Sequence, residues 1–441
     1  MKLTYKLLLG FISISSSIYA QEKLKISIEQ AQSIGLENRY DIKAKKYDLQ
    51  IANQKLIESK QNYIPKVNLS GNIHYSPQVQ STIIPAGFGG ITEPTMVSLG
   101  AKSMSIFSLE LSQPIYNPLI KSDVKLAESN IDIENQRLSL QETEIRKQIS
   151  YSYLNVLLRQ LQLKIAKEEE NRYENYSKLA KGKYENGALI ENDFLRATLD
   201  YENAQQQTRI SKQNYEQSLV TLKYQLNIPN DTDLELTDKL GVINDQMIVT
   251  PDFQAAKNRK EYKLLKLSEE HNTLLEKKQK RSILPTLTLV ANYSQQFLNT
   301  DFNYNYSNGK WWSPYSGIGL QLNLPLTRQF TNKTSLKQIR LAGQQLKDKE
   351  LQQLNDARYE IEHGAAEITN ATLNYSKAEN NYKLARQIYL NQSKQMELGS
   401  FSYEAILNTE NSVNSAEKNF IQASYNYIIA VLNYDIATGK L

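Results

Sequence analysis

The chain has 441 residues, enough for about three globular domains, yet only 40% are apolar. Gln, Asn, Lys and Glu fill long runs, so it can bury a helix stripe but not several thick cores. A net charge of +5 is too small to argue for nucleic acid, and the absence of cysteine excludes disulfides, thiolate chemistry and an acylated N-terminal cysteine.

Residues 1–20 read as a signal peptide. Lys2 and Lys6 form a basic start, Leu7 to Ile14 an apolar core too short to span a membrane, and Ser15, Ser16 and Ser17 follow. Ala20 is the expected last residue removed, although Ile18, third back from the cut, is larger than the ideal. No later segment has the ~18 apolar residues of a transmembrane helix. An exported chain of this kind is either soluble or sits in an outer membrane as a barrel.

The first structural repeat, 21–227, begins with an amphipathic helix over 26–62. The period then changes to two: Val67, Leu69, Gly71, Ile73 and Tyr75 alternate with Asn68, Ser70, Asn72 and His74, which predicts a strand over about 63–76 with one greasy and one wet face. A loop rich in Pro, Gly, Ser and Thr covers 76–102. A second alternating run, with Phe107, Leu109 and Leu111 against Ser108, Glu110 and Ser112, predicts a strand over about 103–116, closed by Pro114 and Pro118. From about 118 to 227 the pattern is a helical hairpin. Its first arm is on the order of 100 Å at ~1.5 Å per residue, it turns at 182–190, and its second arm returns. Residues 228–257 break the pattern with I-P-N-D-T-D and T-P-D-F.

Residues 258–441 then repeat the plan. Setting Pro65 on Pro285 also aligns Asn38-Arg39 with Asn258-Arg259. Strands are predicted at about 283–297 and 315–326, with Leu287, Leu289, Ala291 and Tyr293 facing outward, followed by a helical hairpin over about 330–437. Setting Gly187 on Gly399 brings Leu195 onto Leu407, Ala204 onto Ala416 and Tyr215 onto Tyr427 without a gap. Both return helices carry a seam of steps three and four. It runs Phe194, Ala197, Tyr201, Ala204, Thr208, Ser211, Tyr215, Ser218, Leu222 in the first and Ile406, Thr409, Val413, Ala416, Phe420, Ala423, Tyr427, Ala430, Tyr434 in the second. A 3.5-residue period supercoils helices left-handedly around their neighbours.

Each predicted strand has about the ten residues a tilted strand needs to cross a bilayer. Four strands cannot close a membrane barrel, whose smallest examples have about eight, and an open edge in lipid leaves backbone groups unpaired. The chain therefore has to share a barrel with copies of itself; spacing alone leaves two copies and three both open.

In this order, and duplicated, the motifs resemble the outer membrane efflux protein family, the TolC-like exit ducts. S-I-E-Q-A-Q-S-I-G-L-E-N-R-Y-D-I and Y-I-P-K-V-N-L-S-G resemble the family's first helix and strand. The phrase carried by Tyr184, Gly187, Asp193, Leu195 and Ala197 resembles its hairpin tip. The resemblance implies a mixed α and β membrane protein: two tandem repeats of helix, strand, strand, long helix and helix, assembled as a homotrimer. A twelve-stranded β-barrel would sit in the outer membrane, continuous with a long α-helical barrel through the periplasm. The 228–257 segment and the C-terminal end would form a belt around it. It further implies passive conduction of solutes, with a periplasmic adaptor and an inner-membrane pump of the RND or ABC type as partners.

Tyr184, Gly187, Leu195, Gly399 and Leu407 are expected at the periplasmic tips, where the resemblance puts adaptor docking; the plainer role of the two glycines is a tight turn. Asp193, Arg196, Glu404 and Asn408 are expected in or beside a gate, with Asp193 and Arg196 spaced to pair one helical turn apart. Family ducts often carry an acidic ring on the second tip, but Ala405 and Asn408 stand at its positions here. Tyr304, Tyr306, Trp311, Trp312 and Tyr315 are expected as an interfacial girdle, the alternative being a loop that packs its own aromatics. Glu168-Glu169-Glu170 reads as a solvated helix face. Nothing points to catalysis, a cofactor or a metal site: His74, His271 and His363 are scattered. A periplasmic adaptor and an exported coiled-coil structural protein remain the alternatives from other classes.

Overall fold

The computed structural model describes residues 23–98, 100–240, 249–299, 312–397 and 403–441. Its elements are β1 (Leu24–Ile26), α1 (Ile28–Asn38), α2 (Tyr40–Gln61), β2 (Lys66–Tyr75), β3 (Ser81–Ile84), β4 (Thr95–Ser98), β5 (Ser103–Tyr116), α3 (Pro118–Glu185), α4 (Glu191–Leu226), β6 (Leu234–Leu236), a 3-10 turn (Phe253–Asn258), α5 (Lys260–Arg281), β7 (Thr286–Asn299), β8 (Trp312–Asn323), α6 (Arg328–Glu397) and α7 (Tyr403–Ala437). They fall into two compact units. One gathers residues up to 44 with 139–259 and 355–441; the other gathers 45–138 and 260–354. The signal peptide lies outside the described residues.

The second unit holds an antiparallel sheet in the order β2-β5-β7-β8, one hairpin from each repeat joined through β5 and β7. Side chains directly opposite each other in an antiparallel ladder share a face, so the register sorts the sheet in two. Val67, Leu111, Ala291 and Ile318 form one row of the apolar face, and Leu69, Leu109 and Tyr293 fall in the next with Ser316. On the reverse, Ser70, Ser108, Ser294 and Tyr315 share a row, with the Ser108 and Ser294 hydroxyls 2.8 Å apart. The apolar face is unpacked: Leu69, Ile318, Leu320 and Leu322 are all strongly exposed. β2 and β8 are the outer edges. Around the strands, α5 is tied to the start of α3 by Lys278 to Asp123 at 2.5 Å and to α6 by Lys266 to Glu350 at 2.6 Å.

In the first unit α7 is the middle helix. It meets α3 through Arg172 to Asn414 and meets α6 through Tyr375 and Tyr382 against Phe420. Hence α7 buries Ala423, Tyr427, Ala430 and Tyr434 of its seam and also Asn414, Ile421 and Ser424 beside it. α4 packs on α3, where the Thr208 hydroxyl donates to the Ala166 carbonyl, and buries Ala197, Ala204, Ser211, Ser218 and Leu222, every second seam residue or closer; its C-terminal end also meets α1. Leu199, Val220 and Tyr224 on its other side stay exposed.

Three features depart from the sequence reading. The first predicted helix is broken at Arg39, whose extended backbone (ψ 132°) ends α1. Its guanidinium bonds Asp41 at 2.7 Å and donates to the Gln148 and Gln225 amides, holding the Asp41 carboxyl below the usual range. The 76–102 loop contains the hairpin β3–β4. And the 228–257 break contains β6, which pairs parallel with β1. Tyr153 buckles this small sheet to α3: its hydroxyl donates to Asp238 Oδ2 at 2.7 Å and lies 3.0 Å from the Ile26 carbonyl, while Ile28 N–H also donates to Asp238. Burial, then Asp238, pushes the Tyr153 phenol upward. Tyr153→Phe removes a bond to a partly buried carboxylate, so the chain should lose about 1–3 kcal/mol in denaturant unfolding, whereas Tyr224→Phe, on an exposed side chain, should stay within about 0.5 kcal/mol.

Candidate functional site

The first tip is built by a short turn between α3 and α4. Gly187 takes φ +70°, a left-handed conformation costly for any other residue, and its N–H bonds the Tyr184 carbonyl at 2.9 Å. Tyr184 stacks on Phe194 with ring centroids 5.3 Å apart, and Leu195 is exposed on the outside of the turn. Gly399 lies outside the described residues, and the side chains of Glu404, Leu407 and Ile406 are likewise not described.

Asp193, Arg196 and Asn408 come together. With Tyr173, Lys183 and Asn411 they line a cleft of about 330 Å³ between the first tip and α7. Asp193 and Arg196 make no ion pair with each other among the described residues, and both stay exposed. The strong polar ties lie one to three turns further along the helices, where the sequence reading placed nothing. Arg172 Nη2 donates to Asn414 Oδ1 at 2.7 Å, with its Nε 3.8 Å from Glu410. The Tyr389 hydroxyl donates to Glu410 at 3.0 Å, and the Tyr173 hydroxyl donates to Asn411 at 2.8 Å. Glu410 therefore links α3 to α6 through α7, with its side chain only 16% exposed. The glutamate run is not solvated throughout: Glu169 is 16% exposed and pairs with Lys418 at 2.9 Å. Beside it Glu417 faces Glu168, Lys164 and Arg172 of α3 and Tyr382 of α6. Burial first, then the Glu168 charge, raises its carboxyl above the usual range.

On the sheet, Trp312 lies on the apolar face opposite Phe297, with ring centroids 5.1 Å apart, and 6.1 Å from Phe107. Phe107 in turn packs over Gly71, where an added Cβ would meet its ring at 2.9 Å. Tyr315 does not share this cluster, because the register puts it on the opposite, wet face. Tyr304, Tyr306 and Trp311 lie outside the described residues. Among the described residues no helix is long and apolar enough to cross a membrane, and no group of three His, Asp or Glu could hold a metal ion.

This architecture has the fold of bacterial outer-membrane channels. The chain is similar to the transmembrane channel CusC (TM-score 0.73, 14% identity, covering 96% of this chain and 95% of that one). It is also similar to the Campylobacter jejuni outer membrane channel CmeC (TM-score 0.71, 17% identity, 93% and 85%) and to the open state of the Neisseria gonorrhoeae outer membrane channel MtrE (TM-score 0.72, 14% identity, 93% and 88%). A family model described as Outer membrane efflux protein matches residues 33–227. No curated protein matches by sequence. The resemblance to the outer membrane efflux protein family is thus borne out, by sequence over the first repeat and by fold over nearly the whole chain. The matched first repeat and the fold of the whole chain support an outer-membrane efflux channel.

Glu417 supplies a pH test. Its folded value is raised from 4.5, so its contribution to stability is fully present below that pH and is lost as pH rises through the raised value. Thermal unfolding of the natural chain and of Glu417→Gln, compared at each pH, should therefore show the natural chain losing ground to the variant as pH rises from below 4.5 to about 8.

Proposed function

We propose that the protein is the exit duct of a tripartite efflux or type I secretion assembly, a homotrimer that conducts solutes passively from an inner-membrane pump and periplasmic adaptor to the outside. The observation that carries this is a four-stranded sheet with one greasy face and two free edges. Among the described residues β2 and β8 have no partner strand on their outer sides, and every residue of both is exposed. In lipid each unpaired backbone group costs several kcal/mol. With four antiparallel strands per chain, β8 of one protomer meets β2 of the next in the antiparallel sense. Three copies close twelve strands, and the wet faces line the lumen.

The helices also suit assembly. α4 and α6 keep exposed apolar side chains, Leu199, Val220 and Tyr224 on the first and Tyr359, Leu373 and Leu384 on the second. Side chains of this kind suit contact with a neighbouring protomer. Neither an adaptor nor a secreted coiled coil has a use for the two-faced sheet.

The tips, with Tyr184, Gly187, Leu195, Gly399 and Leu407, are the adaptor-docking end in this reading. The gate is the cleft of Asp193, Arg196 and Asn408, with Glu404, held by the Arg172–Glu410–Asn414 ties behind it. A pump of the RND or ABC type supplies the energy. Loosening the ties dilates the tip by a small change in supercoil, so Glu410→Ala should raise single-channel conductance in planar bilayers by several-fold over the natural chain, while Glu235→Ala, remote from the tip, should leave it unchanged.

The membrane reading is tested by charge placement. Ile318→Lys puts a cation on the greasy face at about 2–4 kcal/mol and should abolish recovery from outer membranes, whereas Gln321→Lys, on the wet face of the same strand, should be recovered normally. Equal recovery of both contradicts the reading.

A further inference from the structure

The wet face of the sheet is made mostly of hydroxyls and amides, and its register sets them in level rows. Asn68, Glu110, Asn292 and Gly317 share one row; Ser70, Ser108, Ser294 and Tyr315 share the next. Glu110 is the one carboxylate in the four strands. It stands in the middle of β5, exposed, between two uncharged amides and a glycine with no side chain. The other ionisable groups on this face are Lys66, diagonal to Glu110 on β2, His74 near the far end of the same strand, and the Tyr315 phenol on β8. None of them forms an ion pair with Glu110 within 4.0 Å among the described residues.

We propose that three Glu110 carboxylates form a single acidic ring in the barrel lumen and make the duct prefer cations over anions, with Lys66 opposing them from the adjacent row. This rests on the trimeric duct proposed above. Twelve strands ~4.8 Å apart and tilted by ~40° enclose a radius of ~12 Å. A glutamate reaching ~5 Å inward puts its charge ~7 Å from the axis, inside the ~8 Å screening length of physiological salt. An ion on the axis therefore feels the ring. Rings of acidic side chains are a general way to favour cations in a pore. The middle of the barrel holds no second acid that could substitute for Glu110.

The chain has no cysteine, so single thiols can be introduced without background. The test uses the purified full-length protein in planar bilayers under a KCl gradient, with Glu110→Gln, Lys66→Gln, Glu110→Cys and Leu109→Cys. Glu110→Gln and Glu110→Cys should lower the cation-over-anion permeability ratio by about two- to threefold, and Lys66→Gln should raise it. A sulfonate-bearing thiol reagent on Glu110→Cys should restore the ratio, and a trimethylammonium-bearing reagent should lower it further. Leu109→Cys, facing lipid, should not react with either. Modification of Glu110→Cys with no change in the ratio overturns the ring and leaves the duct reading standing. Reaction at 109 and not at 110 overturns both, because the wet and dry faces would then be reversed.

Discussion

The structure depends on one constraint: backbone N–H and C=O groups in hydrocarbon must find partners. The sheet meets it internally along three ladders, β2 with β5, β5 with β7 and β7 with β8, and fails at its two ends. Water would satisfy those edges in a soluble protein. It cannot do so beside Val67, Leu69, Ile318 and Leu320, whose exposed side chains suit a lipid environment and not an aqueous one. Assembly is thus a requirement of the fold, and the alternation of greasy and wet residues that makes the sheet insertable also gives the lumen its chemistry.

The helical unit solves a different problem with the same duplicated design. α4 and α7 are copies, yet their surroundings differ. α4 rests on α3 along a stripe of small residues and meets α1 only at its C-terminal end, whereas α7 sits between α3 and α6 and buries two stripes. The additional face of α7 is where polar and charged groups become trapped: Asn414 accepts from Arg172, Glu410 bridges two helices, and Glu417 is pressed against Glu168. Partly buried charge at a helix interface stabilises it only while its partners stay in place. An interface held in this way is suited to having two arrangements, one tight and one loose.

Much of this was legible in the residues, and the rest was hidden for physical reasons. The four strands are written in a period of two that no helix shares, and duplication doubled the signal; Pro65 and Pro285 mark the same place twice. The return-helix seam was readable because burial follows its 3.5-residue step. The break at Arg39 was not, since it has no glycine or proline and is imposed by bonds to Asp41, Gln148 and Gln225 that only the fold assembles. β1 and β6 are three residues each and far apart in sequence, too short to show a period. The Arg172–Glu410 tie has no sequence signature, because it joins different repeats and its formation depends on the rotational phase of α7. Asp193 and Arg196 have the spacing of a helical pair and share a cleft with Asn408, but among the described residues they do not pair. Composition alone groups Tyr315 with Trp312, whereas an odd offset along a strand reverses the face, and Tyr315 lies three places beyond Trp312.

The account's central claim is that the protomer is incomplete in the membrane until copies join their edges. The measurement that tests it most directly is the mass of the detergent-purified mature protein by light scattering, corrected for bound detergent. Three protomers per particle, dissociating only on denaturation, is the predicted result. A stable monomer that needs no detergent would contradict it, since the greasy face and the two open edges of the sheet would then be compatible with water.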